Sequence, residues 1–374
     1  MKKRNHKNYL LIFPAVIFVT LLVVGILTLA LPAKELSENE NRNLAQMPSI
    51  SMQAVNDGTF QKDLDSFLSD QIPLREVWVR MGSGIKKLLG RKELNDVYLG
   101  KDGYYFQAFT EESYSSSRMI SVFQMMEDLY QKHSVPTELL MVPSPGTILE
   151  DQLPSSAPYY DADKVYSAAD QLLSFPVIDL RDTFLSQKDS CQLYYRTDHH
   201  WTTEGARLAY ETWTKLHGTE PRHYDLQTVS EDFHGTLYSK VMDSADVKDT
   251  IKAPADLPKV TITYDNGEVT STPFRPEFLE KKDQYAYFFG GNFGKVVIDT
   301  GADSDKTLLI FKDSFANSFV PFLFEDYGRI VMVDLRYYGG PVEQLFEEYD
   351  VSQVLYLFET TNLLTDTGIL RIGQ

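Results

Sequence analysis

Several things are scarce in this chain, and each scarcity excludes a class of protein. Cys191 is the only cysteine among 374 residues, so no intramolecular disulfide can form and cysteine-held structural zinc is excluded. Basic residues are outnumbered, because 36 Lys and Arg face 53 Asp and Glu and leave a net charge of −17. Nucleic acids and anionic membrane surfaces bind clustered Lys and Arg. Neither is therefore expected as a partner.

The N-terminal sequence predicts a transmembrane helix. An apolar run from about residue 9 to residue 32 is long enough to cross a bilayer as a helix. Four basic residues precede it, namely Lys2, Lys3, Arg4 and Lys7. The positive-inside rule then places everything beyond about residue 33 outside the cell. A cleavable signal peptide is the alternative. Because Leu31-Pro32-Ala33 lacks the small residue wanted at the outer cleavage position, an uncleaved single-pass anchor is favoured.

Beyond the anchor, the chain alternates between short apolar strands and amphipathic helices. Residues 34–90 form a juxtamembrane spacer followed by helices, and residues 91–374 form the main domain. Predicted strands include 139–143, 177–180, 308–311, 329–333 and 353–358, with a hairpin at 97–106. This alternation is typical of an α/β protein with a parallel sheet covered by helices. Residues 219–290 are punctuated by proline and predict a β-rich insertion, after which the alternation resumes at residues 296–298.

Thr197-Asp198-His199-His200-Trp201-Thr202 is the densest cluster of catalytic residue types. Asp198 and His200 are two positions apart, so on an extended segment they point to the same side and His199 points away. A carboxylate can then orient His200 as a base. An Asp-His-His set can equally bind zinc or manganese, and it can also be purely structural. The following helix is capped by Thr202 or Thr203 and closed by Gly218.

Ser314 follows the apolar strand 308–311 and precedes a helical pattern that Pro321 should kink. A serine at such a turn lies at the carboxyl end of a parallel sheet, where open α/β folds bind ligands. Its backbone amide can stabilise an oxyanion at the helix N-terminus. The alternative is that Ser314 only caps the helix. Taken with His200 as base and Asp198 as acid, Ser314 is the predicted nucleophile.

These motifs together resemble the bacterial DHHW protein family, which is similar to the alginate O-acetylation proteins and other SGNH-hydrolase-like acetyltransferases. The resemblance is carried by the segments 197–202 and 312–317, supported by 37–42, 97–106 and 334–338. It implies an SGNH-hydrolase-like sheet and a triad of Ser314, His200 and Asp198. The usual Gly-Asp-Ser block of the wider superfamily is Lys312-Asp313-Ser314 here.

Further site residues are predicted with less support from the pattern. Besides the Ser314 amide, the oxyanion donors are expected from Gly290-Gly291-Asn292, especially Gly291 and Asn292, although a simple turn is the alternative. Substrate-binding candidates are Arg336, Tyr337 and Trp201, with a structural salt bridge as the alternative for Arg336. No metal and no cofactor are predicted.

The resemblance implies an extracytoplasmic O-acetyltransferase, anchored in the cell membrane, that moves an acetyl group onto a hydroxyl of a cell-envelope glycan or exopolysaccharide. Because acetyl-CoA is cytoplasmic, it also implies a membrane-bound O-acyltransferase as the donor-side partner. A carbohydrate O-acetyl esterase is the first alternative, with water as acceptor. A non-catalytic glycan-binding or scaffold protein of an envelope assembly complex is the second.

Overall fold

The structure is a computed structural model that describes residues 6–37, 42–242 and 245–373. The basic residues Lys2, Lys3 and Arg4 lie outside the described residues, as do positions 38–41 of the family-like segment 37–42. The chain divides into two compact units: Met1–Arg91 with Val241–Ala245, and Lys92–Lys240 with Asp246–Gln374. All predicted site residues belong to the second unit.

The first unit begins with one long apolar helix. Its elements are α1 (His6–Ala30), β1 (Leu36–Ser37), β2 (Arg42–Asn43), α2 (Met52–Asn56), α3 (Thr59–Gln71) and α4 (Arg75–Leu88). Within α1, Ile12–Ala30 is long and apolar enough to cross a membrane, since about 20 such residues span a hydrocarbon core. Pro73 lies between α3 and α4.

The second unit contains the remaining strands and most of the remaining helices. The strands are β3 (Glu93–Leu94), β4 (Val97–Leu99), β5 (Tyr105–Gln107), β6 (Thr137–Val142), β7 (Val177–Asp179), β8 (Leu226–Phe233), β9 (Asp249–Pro254), β10 (Thr261–Tyr264), β11 (Val269–Thr270), β12 (Lys295–Asp299), β13 (Thr307–Lys312), β14 (Arg329–Val333) and β15 (Gln353–Glu359). The helices after α4 are α5 (Ser116–His133), α6 (Pro145–Ile148), α7 (Ala162–Leu172), α8 (Arg181–Gln187), α9 (Thr203–Leu216), α10 (Thr236–Val241), α11 (Ala316–Phe319), α12 (Glu343–Glu348) and α13 (Thr360–Thr365).

An eight-stranded sheet organises the second unit, in the order β11-β10-β12-β14-β13-β15-β6-β7. The five strands from β14 to β7 are mutually parallel. Successive residues of β13 alternate between two cores: Leu308 and Ile310 pack on one face, Leu309 and Phe311 on the other. Both faces are covered, which explains why β13 is apolar without interruption. The predicted α/β fold, with a largely parallel sheet covered by helices, is confirmed.

Several local predictions also hold. The hairpin joins β4 to β5 with Val97 opposite Gln107. The Thr202 side chain accepts a hydrogen bond from the Gly205 amide at the start of α9, and Gly218 takes a left-handed φ of 70° just beyond its end. The helix after Ser314 gives way to a 3-10 helix, Val320–Leu323, that contains Pro321.

The predicted parallel alternation from residue 296 is wrong in one respect. Strand β12 lies antiparallel to β14, and β10 continues the sheet antiparallel to β12. The link between β12 and β13 spans only residues 300–306, which is too short to return the chain to the opposite end of the sheet, as a parallel arrangement of these two strands would require. The β-rich insertion therefore supplies β10 and β11 to the main sheet, while β8 and β9 form a separate antiparallel pair.

The central strand should govern stability. Ile310 is fully buried, so Ile310→Ala is expected to lower the free energy of unfolding by about 2–5 kcal/mol through lost burial and a cavity. Leu216, the last residue of α9, is 63% exposed. Leu216→Ala is therefore the matched control, with an expected change within about 0.5 kcal/mol. Denaturant unfolding of the full chain in detergent measures both. Equal effects would contradict the buried position of β13.

Candidate active site

Ser314 stands directly after β13, in a turn fixed by its neighbour Asp313. One oxygen of the Asp313 carboxylate accepts a hydrogen bond from the Phe315 amide at 2.9 Å. The other oxygen accepts bonds from the Glu359 amide and from Asn362 Nδ2, each at 2.9 Å. Because Glu359 ends β15, these bonds join the carboxyl ends of two adjacent parallel strands. The serine is thereby held beyond the carboxyl ends of the strands, where open α/β folds bind ligands.

The loop carrying Asp198 and His200 is attached to the same turn by Trp201. The Trp201 Nε1–H lies within hydrogen-bonding distance of the Phe315 carbonyl (3.0 Å) and of Ser318 Oγ (2.9 Å). Trp201 is fully buried. Its prediction as a substrate-binding residue is therefore wrong, because an indole enclosed in the core has no face to offer a sugar. Its packing instead positions His200.

Two short hydrogen bonds connect the three predicted triad residues. Asp198 Oδ1 lies 2.6 Å from His200 Nδ1, and His200 Nε2 lies 2.6 Å from Ser314 Oγ. The second oxygen of Asp198 accepts bonds from the Thr236 amide at 2.7 Å and from the Thr236 hydroxyl at 2.9 Å. Asp198, His200 and Ser314 are thus joined in one continuous chain of hydrogen bonds, in which the carboxylate can orient the imidazole that faces the hydroxyl.

Charge and hydrogen bonding keep the acid ionised. Burial alone would raise the pKa of Asp198, but the charges of His199 and His200 and the hydrogen bonds from His200 and Thr236 hold this pKa well below its usual range. Burial and the neighbouring His200 lower the pKa of His199. A carboxylate beside His200 stabilises the imidazolium that forms when the base takes a proton.

The sequence predicted that the His199 side chain points away from Asp198, and this prediction is wrong. The His199 ring lies against that of His200 with centroids 3.9 Å apart, and its Nδ1 is 3.4 Å from Asp198 Oδ1. The reason is that residues 196–200 are bent rather than extended, so side chains do not alternate. The Nδ1 atom is also 2.9 Å from Thr236 Oγ1.

The same three residues also form a cluster that could hold a metal ion. One ligand atom from each of Asp198, His199 and His200 can be chosen so that all lie within 4.8 Å of one another. A metal drawing on Asp198 Oδ1 and His200 Nδ1 would have to replace the hydrogen bond between them. In the arrangement found, His200 Nε2 is turned to Ser314 Oγ, which is the geometry that proton transfer between these side chains would need.

The buried Lys312 contacts Asn292, one of the predicted oxyanion donors. Lys312 Nζ donates to Asn292 Oδ1 at 2.9 Å and to Asn317 Oδ1 at 2.8 Å, and Asn317 Nδ2 donates to the Gly291 carbonyl at 3.2 Å. Because Asn292 Oδ1 accepts this bond, the Nδ2 group is the end of the Asn292 amide that faces away from the lysine. In the described part of the chain, the Ser314 backbone amide has no hydrogen-bond acceptor, which leaves it able to donate to an oxyanion.

Lys312 takes the position where the wider superfamily has glycine. It is the last residue of β13 and lies in extended backbone, so this position needs no glycine. Its side chain is 2% exposed and lies 3.7 Å from Asp334. Desolvation lowers the pKa of Lys312 to about 8, although Asp334 opposes the shift. The ammonium group therefore brings a positive charge close to the turn that carries Ser314.

Arg336 and Tyr337 lie at the carboxyl end of β14. Arg336 donates twice to Asp334, at 2.8 and 2.6 Å. The salt bridge that the sequence allowed as an alternative is thus present. Tyr337 is 58% exposed, and the guanidinium of Arg336 lies 5.5 Å from its ring centroid. Substrate binding by Arg336 and Tyr337 stays a prediction.

Sequence reasoning missed two residues that shape the site. The Tyr285 ring stacks on His200 with centroids 3.8 Å apart, and its hydroxyl donates to the Ser314 carbonyl at 3.2 Å. Gly235 lies so close to the acid that an added Cβ would be 2.3 Å from Asp198 Cβ. Tyr285 sits in an irregular stretch with no periodic signal. Gly235 also lacked any signal in the sequence that would have pointed to the site.

Comparison with known families matches residues 97–274 to the SGNH hydrolase-like domain of the acetyltransferase AlgX. The matched stretch contains Asp198 and His200 and ends before Ser314. None of the curated protein sequences compared matches the chain. The match confirms the resemblance to SGNH-hydrolase-like acetyltransferases and supports an SGNH-type O-acetyltransferase or esterase.

Solved structures show the same fold. A DHHW family protein from Eubacterium siraeum is 21% identical, with a TM-score of 0.63 over 75% of this chain and 95% of that one. Bacillus cereus PatB1, solved with a sulfonyl adduct, is 20% identical, with a TM-score of 0.62 over 74% of this chain and 98% of that one. A second structure of PatB1 is similar, with 21% identity and a TM-score of 0.58 over 71% and 97% of the two chains. At these identities the likeness concerns the fold.

Gly235 gives a test of how the acid is positioned. Gly235→Ala would place a methyl group 2.3 Å from Asp198 Cβ, so the carboxylate must move and the base loses its orientation. Turnover of an activated acetyl ester is expected to fall by about 100-fold or more. Gly339→Ala is the matched control, because nothing lies within 4 Å of a Cβ at that glycine. Unchanged turnover in Gly235→Ala would contradict the positioning of Asp198.

Glu359 predicts a pH effect on stability. Burial raises the pKa of Glu359 from 4.5 to about 7. Between these values the folded protein holds a proton that the unfolded chain releases, so the free energy of unfolding falls as pH rises through this window. The loss should reach about 3 kcal/mol by pH 8. Denaturant titrations of the full chain at pH 5 and pH 8 measure it. Glu359→Gln, which cannot ionise, should remove this part of the slope, and an identical slope would contradict the assignment.

Proposed function

We propose that this chain is a membrane-anchored, extracytoplasmic O-acetyltransferase that uses Ser314 as nucleophile, His200 as general base and Asp198 as the orienting acid. The observation that carries the proposal is the pair of 2.6 Å hydrogen bonds that links Asp198, His200 and Ser314. They lie at the carboxyl edge of a sheet within an SGNH-like fold. A serine, a base and a third group that orients the base form the arrangement required for acyl transfer through a covalent intermediate.

The first half of the reaction loads the enzyme. His200 Nε2 accepts the proton of Ser314 Oγ while the oxygen attacks the acetyl carbonyl of the donor. The carbon–oxygen double bond opens to an oxyanion, which the Ser314 amide can stabilise, with Asn292 and Gly291 as the further candidates. As the tetrahedral intermediate collapses, the bond from carbonyl to leaving group breaks and His200 returns the proton to that group. Ser314 is left as an acetyl ester.

The second half transfers the acetyl group to a glycan. His200 takes the proton from a sugar hydroxyl, whose oxygen attacks the ester carbonyl. The bond to Ser314 Oγ then breaks, and the proton on His200 restores the serine hydroxyl. Asp198 stays ionised throughout, because its role is to orient the imidazole and stabilise the imidazolium.

The N-terminal helix gives the proposal its location. Ile12–Ala30 can span a bilayer, and the basic residues before it favour an anchor with the catalytic domain outside. Acetyl-CoA stays in the cytoplasm, so the acetyl group must cross the membrane. A membrane-bound O-acyltransferase is the partner that this requirement implies.

Limited access of water favours transfer over hydrolysis. Ser314 and His200 are 6% and 5% exposed, and Asp198 is 1% exposed. Tyr285 covers one face of the His200 ring. An acetyl ester formed there is shielded on several sides, which slows its loss to water before a glycan arrives.

A covalent probe tests the nucleophile. Full-length protein in detergent is treated with a sulfonyl fluoride, chosen because the PatB1 structure contains a sulfonyl adduct. Mass spectrometry should locate one adduct on Ser314. The Ser314→Ala variant should take up none, and His200→Ala should slow labelling by about 100-fold or more. The exposed Ser190→Ala is the control and should react like the wild type.

Three outcomes would redirect the proposal. An unlabelled Ser314, together with no turnover of an activated acetyl ester, would favour the non-catalytic glycan-binding protein. Turnover that added oligosaccharides neither accelerate nor divert to acetylated product would favour the esterase. Activity that is lost on chelation but survives Ser314→Ala would favour a metal site at Asp198, His199 and His200.

A further inference from the structure

A groove with a volume of about 630 Å³ lies beyond the carboxyl ends of β6 and β7. Its walls include Gly146, Tyr159, Asp161, Arg181 and Lys101. The volume falls within the range of small-molecule and cofactor sites, about 300–1,000 Å³. None of the residues assigned above to the acyl transfer lines it.

Strand order places this groove in line with the triad. The strands β13, β15, β6 and β7 are consecutive neighbours. The residues at or just beyond their carboxyl ends therefore form a row, in the order Ser314, Glu359, Ser144 and Arg181. Neighbouring strands are about 4.8 Å apart, so the strand beside the groove is about 14 Å from the strand that carries Ser314. A ligand of two or three sugar units can reach from one to the other.

Tyr159 separates the groove from a smaller cavity beside the triad. This cavity has room for roughly one water molecule, and Tyr159 and Ser144 line it together with His199 and Glu359. The Tyr159 hydroxyl donates to Ser144 Oγ at 3.1 Å. Its ring lies against Gly146, where an added Cβ would be 2.4 Å from Tyr159 Cζ. This one ring thus lines both the groove and the cavity.

Glu359 provides an unused polar atom in the wall of the small cavity. Its Oε2 accepts bonds from the Thr361 hydroxyl at 2.6 Å and from the Asn362 amide at 2.9 Å. The residue is only 3% exposed, and its Oε1 is buried with no hydrogen-bond partner in the described part of the chain. A buried oxygen without a partner is costly, and a sugar hydroxyl entering the cavity would satisfy it.

The charge of the groove selects among glycans. Four carboxylates line it against two cations: Glu150, Asp151, Asp161 and Asp163 against Lys101 and Arg181. Arg181 pairs with Asp179 and Asp163, while Lys188 and Lys164 pair with Asp151 and Asp161. Among the described residues, these pairs leave Glu150 and Lys101 as the lining charges without an ion pair, so a chain of uronic acids would find few free cations. Hydroxyl, acetamido and amino groups can instead donate hydrogen bonds to the carboxylates.

We propose that this groove binds the acceptor glycan, and that the glycan is a neutral or amino-sugar chain rather than a polyuronate. The inference rests on the proposed function, because it assigns the acceptor to the same site. The glycan lies along the carboxyl edge of β7 and β6, displaces the Tyr159 ring and hydrogen-bonds Glu359. Its hydroxyl then reaches His200 and the acetylated Ser314.

Binding is measured first, without any acetyl donor, so that the result does not depend on acyl transfer. Isothermal titration of the full chain in detergent compares three hexasaccharides: N-acetylglucosamine, its free-amine counterpart and a uronate. The neutral or the amine hexamer is expected to bind at least tenfold more tightly than the uronate. Equal or tighter binding of the uronate would overturn the proposal.

Two variants locate the binding. Ala157→Trp and Ser155→Trp should each fill the groove with an indole, from two different points of its wall. Each is expected to weaken binding of the preferred hexamer by about tenfold and to raise its KM as acceptor. The pair guards against misfolding, because Ser155 is exposed and its replacement leaves the interior unchanged. Gly339→Ala should bind like the wild type.

The results separate this inference from the proposed function. If Ser314 is labelled and acetyl transfer occurs, yet both variants bind and use the hexamer normally, the groove assignment is wrong and the acetyltransferase stands. If Ser314 is never labelled but binding is lost in both variants, the groove is a glycan site and the catalytic proposal is wrong. Loss of binding in both variants together with labelling of Ser314 supports the two.

Discussion

The buried carboxylate of Asp313 is the constraint on which the site depends. It accepts hydrogen bonds from Phe315 in its own turn and from Glu359 and Asn362 at the end of the neighbouring strand. A parallel sheet brings strand ends together, but it does not fix the turns that follow them. Asp313 does so here, and Ser314 is its direct neighbour. Burial raises the pKa of Asp313, so its three donors are needed to offset the cost of desolvation.

Opposite charges make that burial tolerable. Lys312 and Arg336 lie close to Asp334, and both also act on Asp313. Lys312 and Arg336 thus compensate the charges of Asp313 and Asp334 next to the serine turn, and Arg336 also lies 3.8 Å from Asp366. Removing one of these charges would leave an uncompensated buried charge, which is far more costly than the pair is stabilising. The same lysine orients Asn292, so this group of charges couples the stability of the turn to the geometry of its donors.

The sequence predicted those parts of the site that depend on residue type and strand ends. Asp198, His200 and Ser314 were found because acid, base and hydroxyl stood beside predicted strands and helices. Contacts across the core left no such pattern: nothing around Trp201 showed that its indole would be buried against Phe315. His199 was misplaced because the alternation of side chains holds only for extended backbone. The direction of β12 was missed because apolar composition does not encode strand direction.

Exclusion of water and access of a large acceptor are opposing demands on one site. Ser314, His200 and Asp198 are almost fully buried, yet the proposed reaction needs a glycan hydroxyl to approach His200 as closely as Ser314 does. A permanently open cleft would admit water as a competing nucleophile. In the proposed site, a passage closed by one aromatic ring would resolve the conflict. The Tyr159 hydroxyl donates to Ser144, and the ring packs against Gly146 and Tyr160. Glycan binding can open such a passage because the ligand makes contacts in the open state that water cannot replace.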